Sequence, residues 1–173
     1  MRSNIASFCN IIAMAALLVY AATMDRIDRK ILNLMQRDAS RSNVELAEKV
    51  GLSPSTCLRR VQRLHKSGLI QRIVAILNPS KTGRVIKALV TVELKHHGEQ
   101  QMNRFLDIAI AEEAVSHAYA VTGETDVALM LRLRDMEEFD ALCNRLFRDD
   151  NNVSRFWTMI VIRAAKETTA IRL

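Results

Sequence analysis

From Met24 onward the apolar positions repeat with two different periods, and the change of period divides the chain. Over Met24 to Met35 (MDRIDRKILNLM), Ile27, Ile31, Leu34 and Met35 recur every three or four residues, which predicts a helix with one buried face. Ser42 to Gln71 (SNVELAEKVGLSPSTCLRRVQRLHKSGLIQ) reads as two short helices around a tight turn. Ser42 and Glu45 have the spacing of a capping box, in which each side chain satisfies a backbone amide at the helix start. Leu46 and Val50 supply the apolar face, Gly51 follows as a stop, and Ser53-Pro54 restarts the chain as N-cap and first helical residue. In the third helix Cys57, Val61 and Leu64 are spaced i, i+4, i+7 and face a core, which turns Arg59, Arg60, Arg63 and Lys66 outward. Three helices in a row, the last one basic, have the layout of a helix-turn-helix that enters a DNA major groove.

Beyond Gln71 the period shortens. Leu69 to Leu77 (LIQRIVAIL) is rich in β-branched residues and ends at Asn78-Pro79, so it is expected to be a strand serving as wing or hinge. VIKALVTVEL from Val85 predicts a strand, Gln100 to Ala111 a helix, Val115 to Thr122 and Val127 to Arg134 two strands, Met136 to Phe147 a helix, and Val153 to Ala164 a last strand. The order βαββαβ is that of the ferredoxin-like split βαβ arrangement, a four-stranded antiparallel sheet with two helices on one face. Apolar residues in VIKALVTVEL and FWTMIVIRA alternate so as to occupy both faces of the sheet, and a second copy of the chain is the expected cover. The predicted fold class is therefore α+β: an N-terminal (winged) helix-turn-helix domain over 24–72, a hinge strand over 73–84, and a self-associating βαββαβ ferredoxin-like domain over 85–173, for which the resemblance given below implies ligand sensing and oligomerisation.

Residues 1–23 do not fit either module. Arg2 precedes an apolar run from Ile11 to Ala22 that loosely resembles a signal peptide, but export separates a DNA reader from its DNA. The run is also short for a membrane span, which takes about 20 apolar residues. An upstream extension outside the fold, with Met24 as the functional start, is the preferred reading; a hydrophobic tail packed on a partner and a genuine membrane or export signal are the alternatives.

Charge sharpens the division. The formal net charge of the 173 residues is +6. No Asp or Glu occurs between Lys49 and Val92, where nine Lys or Arg stand, whereas Glu93 to the end carries ten basic and fourteen acidic residues. A basic module precedes a slightly acidic one, as suits a DNA-binding part whose phosphate contacts make affinity salt-dependent. The three cysteines (Cys9, Cys57, Cys143) show no C-x-x-C and no zinc spacing, and reduced thiols in a cytoplasm account for them. No phosphate-binding glycine loop and no catalytic triad is present, so neither a metal nor a cofactor is expected.

With these segments in view, the chain from Met24 to Leu173 resembles the Lrp/AsnC family of transcription regulators, the leucine-responsive or feast/famine type. The pieces that carry the resemblance are DRIDRKIL (Asp25 to Leu32), SNVELAEKVGLS (Ser42 to Ser53), CLRRVQRL, the exit GLIQRIVAILNP, and VTGETDVAL (Val121 to Leu129). The resemblance implies a sequence-specific regulator of double-stranded DNA. It also implies homodimers that assemble further, to an octamer, and an amino acid bound between dimers near the turn Gly123-Glu124-Thr125-Asp126. A glycine amide can approach an α-carboxylate closely, and a carboxylate such as Asp126 can accept from an α-ammonium. Met136, Met159, Ile160 and Val161 fall where family members line the effector site. Members commonly place an aromatic residue where this chain has Thr125. On the DNA side, Ser53, Ser55, Thr56, Arg59, Arg60, Arg63 and Lys66 are the expected contacts.

Two other functions use the same two modules. One is a sirohaem-decarboxylase-like enzyme, for which His96, His97 and His117 are the available histidines. The other is a small-molecule sensor that no longer reads DNA, whose mark would be a neutralised third helix.

Overall fold

A computed structural model describes residues 24–173; the segment 1–23 lies outside the described residues. The described residues divide into two compact units, one made of 24–75 together with Glu167–Leu173, the other of Ile76–Lys166. The last seven residues thus pack with the helical unit.

The first unit contains α1 (Arg26–Arg37), α2 (Asn43–Val50) and α3 (Pro54–Lys66). Each begins where a side chain can take up the free amides of a helix start. Asp25 caps α1, accepting from the amides of Ile27 and Asp28 at 2.8 Å each, and Asp28 accepts in return from the amide of Asp25 at 3.1 Å. Ser42 and Glu45 form the anticipated reciprocal box on α2. Ser53 caps α3, with Pro54 in its first turn. Between α2 and α3, Gly51 sits in the left-handed region at φ 72°, and the amide of Leu52 closes on the carbonyl of Ala47 at 2.9 Å. Ile31, Leu32, Leu46, Ala47, Val50, Cys57 and Leu64 form the buried core of this unit. The terminal segment joins it through the Gln36 amide, which donates to the carbonyl of Ile171 at 3.0 Å and accepts from the Ile171 amide, while Leu173 packs against the core.

The second unit runs β1 (Ile86–Leu94), α4 (Glu99–Ile110), β2 (Val115–Ala120), β3 (Val127–Leu133), α5 (Met136–Leu146) and β4 (Val153–Ile160). The four strands form one antiparallel sheet in the order β2-β3-β1-β4, the βαββαβ topology anticipated from the alternation. Alternate residues of β1 and β3 (Ala88, Val90, Val92, Leu94; Val127, Leu129, Leu131, Leu133) are buried against Phe105 and Ala109 of α4 and Leu142 and Leu146 of α5. The registers Thr91↔Trp157, Leu89↔Met159 and Tyr119↔Ala128 place the intervening residues on the opposite face. There Tyr119, Trp157 and Met159 are 53%, 42% and 49% exposed.

Two expectations fail. Leu69 to Leu77 is not a strand: the segment has no regular structure, and Ile73, Val74, Ile76 and Leu77 are each more than half exposed. β-Branched residues favour an extended backbone, but a strand needs a neighbouring edge to bond with, and a single chain offers this segment none. The last strand stops at Ile160, short of Ala164; the Val161 amide makes one further bond to the Lys87 carbonyl at 2.9 Å, and β1 begins at Ile86, so beyond that point no partner remains.

Replacing Gly51 by Ala forces a side chain into the left-handed conformation and is expected to lower stability by about 1–2 kcal/mol, read as a fall in denaturation midpoint with the helical content of the folded state unchanged.

Candidate nucleic-acid interface and effector site

Helix α3 buries Cys57 and Leu64 and half-buries Val61, so its opposite face is set by the 3.6-residue turn. On that face lie Ser55, Arg59, Gln62 and Lys66, at spacing i, i+4, i+7, i+11, all exposed. Among the described residues Arg59 and Lys66 make no ion pair with a carboxylate. At the helix start the Ser53 hydroxyl donates to the Thr56 hydroxyl at 2.8 Å and lies 3.3 Å from that of Ser55. Ser53 and Thr56 thus hold one another and cap the helix, while Ser55 projects from the outward face. Gln62 escaped the sequence reading, which followed charge; its position between Arg59 and Lys66 along the exposed side of the helix was the signal available.

Arg60 is withdrawn from solvent, against expectation, and Arg63, though its side chain is 55% exposed, also reaches an internal carboxylate. Arg60 donates through Nη1 to Asp25 at 2.6 Å and to Asp28 at 2.9 Å, and Arg63 donates through Nη2 to the other oxygen of Asp28. Asp28 is completely buried, and it is the only buried charged residue among those described. Breaking one side of a buried ion pair costs about 3–5 kcal/mol. A good bidentate base contact is worth about 1–3 kcal/mol, so the internal partners hold the stronger claim on Arg60. The sequence obscured this because both carboxylates precede the acid-free stretch by more than twenty residues and meet it only in space. The amide of Asp28 and the guanidinium of Arg60 hold the Asp25 carboxyl down at about 2, and Asp25 and Asp28 in turn raise the pKa of Arg60.

In the second unit the turn between β2 and β3 is closed by the Val121 amide bonding the Asp126 carbonyl at 2.9 Å, with Gly123 at φ 133°. Asp126 bonds through Oδ2 to the Leu94 amide at 2.8 Å, where the β1/β4 register shifts, and its Oδ1 lies 3.3 Å from Nδ1 of His97. The carboxylate thereby secures the end of β1, so one of its oxygens is already engaged by the backbone. Glu124 is exposed and Thr125 half-buried beside it. Met136, Met159, Ile160 and Val161 are not near this turn. Met136 opens α5 after the far end of β3, and Ile160 pairs with Ala88 near the start of β1, whereas Asp126 adjoins Val92 and Leu94 near its end. At about 3.3 Å per residue, the two groups stand roughly 15–20 Å apart along the sheet of one subunit.

The histidines do not gather. His96 and His97 are exposed on the loop after β1, and His117 is exposed on β2, its ring stacked 5.9 Å from that of Tyr119. Among the described residues no cluster of His, Cys, Asp or Glu could hold a metal ion, and no helix is long and apolar enough to cross a membrane.

A capped three-helix reader with a basic outward face, joined to a βαββαβ domain, defines a class of two-module DNA-binding regulators. Residues 24–65 match the AsnC-type helix-turn-helix domain and residues 87–171 the Lrp/AsnC ligand binding domain. The chain is 36% identical over 152 residues to an HTH-type transcriptional regulator of Sinorhizobium fredii, covering 88% of this chain and 90% of that one. It is 33% identical over 148 residues to the leucine-responsive regulatory protein of Escherichia coli K12, covering 86% and 90%. Among solved structures, an AsnC family regulator from Agrobacterium tumefaciens superposes with a TM-score of 0.81 at 30% identity, covering 86% of this chain and 96% of that one. A Neisseria meningitidis transcriptional regulator in complex with L-Met gives the same TM-score, identity and coverage. The protein belongs to the Lrp/AsnC family of transcriptional regulators. Members of that family are regulators and not enzymes, which sets aside the decarboxylase reading.

Because the folded-state pKa of Asp25 lies below its ordinary value of 3.8, the associated stability is complete above that value and is lost as pH falls toward 2. Asp25→Asn is therefore expected to flatten the fall of melting temperature between pH 5 and pH 2, measured in parallel with the parent. Arg60→Ala, which removes one partner of the buried Asp28, is expected to cost about 3 kcal/mol in denaturant unfolding.

Proposed function

We propose that this chain is a sequence-specific regulator of double-stranded DNA, working in the cytoplasm, whose assembly answers to an amino acid held between subunits. The observation that carries the reading is the separation of the expected effector residues into two groups at opposite ends of the sheet. Gly123 to Asp126 offer amide and carboxylate groups suited to a zwitterionic head; Met136, Met159, Ile160 and Val161 offer an apolar lining for a side chain. One subunit cannot bring the two onto one small molecule, so the site is completed when the turn of one subunit meets the methionine end of another. The L-Met complex of the similar Neisseria regulator supports an amino acid as the ligand.

The open sheet face supports the assembly. Tyr119, Trp157 and Met159 lie with Leu89, Ala128 and Met130 on a surface that a second copy of the same sheet covers, giving a homodimer; dimers then associate into an octamer. An effector bound between dimers shifts the population of these assemblies only through its differential affinity for them. Paired readers within a dimer place two α3 helices about one DNA turn, or a multiple of it, apart.

Amino-acid binding is checked with the full chain by a thermal-shift screen of the twenty amino acids; ligand at 100 times its Kd adds about 2.7 kcal/mol of stability. One amino acid, or a chemically related few, is expected to raise the melting temperature. Thr125→Ala and Met136→Ala are each expected to abolish that shift, and mixed oligomers of the two variants to recover part of it, since some interfaces then pair an intact turn with an intact methionine end. No recovery in mixed oligomers places the whole site within one subunit and removes the shared-site reading.

A further inference from the structure

The DNA-binding reading leaves open which side chains of α3 distinguish one base pair from another, and the most conspicuous candidates, Arg60 and Arg63, are the ones tied to Asp25 and Asp28. We propose that Gln62 is a specificity-determining residue that reads an adenine, with Arg59 reading a guanine beside it, and that Arg60 is a positioning residue that fixes the angle of α3 through Asp28. The inference rests on the function proposed above and names the reading residues of that same surface.

Three observations support it. Gln62 is exposed on the outward face, between Arg59 and Lys66 along the helix and on the side away from Cys57 and Leu64. It makes no hydrogen bond to any described residue, so both its amide donor and its carbonyl acceptor are free, as the N7 and N6 edge of adenine requires. Arg59 is likewise exposed and unpaired among the described residues, and its planar guanidinium matches O6 and N7 of guanine. Three residues along a helix advance about 4.5 Å, and base pairs repeat every 3.4 Å or so, so the two side chains reach base pairs one or two steps apart. Leu58, one turn before Gln62 and 46% exposed, supplies an apolar surface for a thymine methyl in the same groove.

Arg60 has the opposite disposition. Its Nη1 is shared between two carboxylates, and swinging it toward DNA leaves Asp28 buried with one partner fewer. Asp28 also belongs to the capping box that starts α1. One carboxylate thus joins the beginning of α1 to the middle of the reading helix.

The test is selection of binding sites from a randomised duplex library by the full-length parent and by Gln62→Ala, Arg59→Ala and Arg60→Lys, each confirmed folded at the assay temperature by circular dichroism. Gln62→Ala is expected to lose a preference for one A·T pair of about ten-fold or more, with every other position and the salt dependence unchanged. Arg59→Ala is expected to lose a G·C pair one or two steps away. Arg60→Lys, whose ammonium stands one bond nearer the backbone than Nη1 and so falls short of the two carboxylates, is expected to weaken binding to all duplexes alike and to alter no single position. A Gln62→Ala consensus identical in identity and strength to the parent's overturns the assignment of Gln62. Loss of one base position in Arg60→Lys overturns the positioning role. A parent that selects no sequence defeats the DNA-reading function itself, and with it the inference.

Discussion

Asp28 lies wholly out of water on the inner side of α1, and its two oxygens accept from the guanidinium groups of Arg60 and Arg63 on α3. A buried carboxylate is tolerated only when charge and hydrogen bonds replace the water it has lost. Here that requirement binds the first helix of the reader to the third. It determines how α3 is presented, because the helix cannot roll about its axis without stripping partners from Asp28. It also divides the basic residues of α3 into two kinds: those turned back to satisfy Asp25 and Asp28, and those left on the outer face with Gln62 between them. The hydrophobic contacts of Cys57 and Leu64 bring α3 against the core, but apolar contacts are weakly directional. The ion pairs supply the direction.

In the sheet domain the governing constraint is that four strands have two faces and two helices cover only one. The covered face is closed by Phe105, Ala109, Leu142 and Leu146 over the buried residues of β1 and β3. The other carries a tyrosine, a tryptophan and a methionine in partial contact with water. Under the proposed assembly a second copy covers this face, and a ligand held between subunits acts on the same surface. The exposed Ile73, Val74, Ile76 and Leu77 between the two modules follow the same logic: strand-forming residues that lack an edge within their own chain.

Much of the fold was legible in the sequence because it depends on local patterns. The capping pair Ser42/Glu45, the stop at Gly51 and the restart at Ser53-Pro54 delimit the helices by satisfying backbone amides within four residues. The alternation in VIKALVTVEL and VALMLRL separates the two faces of the sheet before any strand is paired. Failures arose where the outcome depends on a distant partner. LIQRIVAIL has the composition of a strand and no neighbour to make it one. Arg60 and Arg63 stand in a stretch free of acid, yet meet acids from α1. For the effector residues it was the arrangement that the sequence left open: Asp126 also accepts from the backbone of Leu94, and the methionine set lies at the other end of the sheet from it.

By itself, the sequence determined the helices and the four strands of the sheet, their order and the apolar face each helix buries, since these follow from residue spacings of one to eleven positions, while its longer motifs carried the resemblance to the family. Tertiary structure alone decided which charges remain available. Coulomb energy depends on distance in space and on the loss of solvent, and neither Asp28 at the heart of the reader nor the span between Asp126 and Met136 can be measured along the chain.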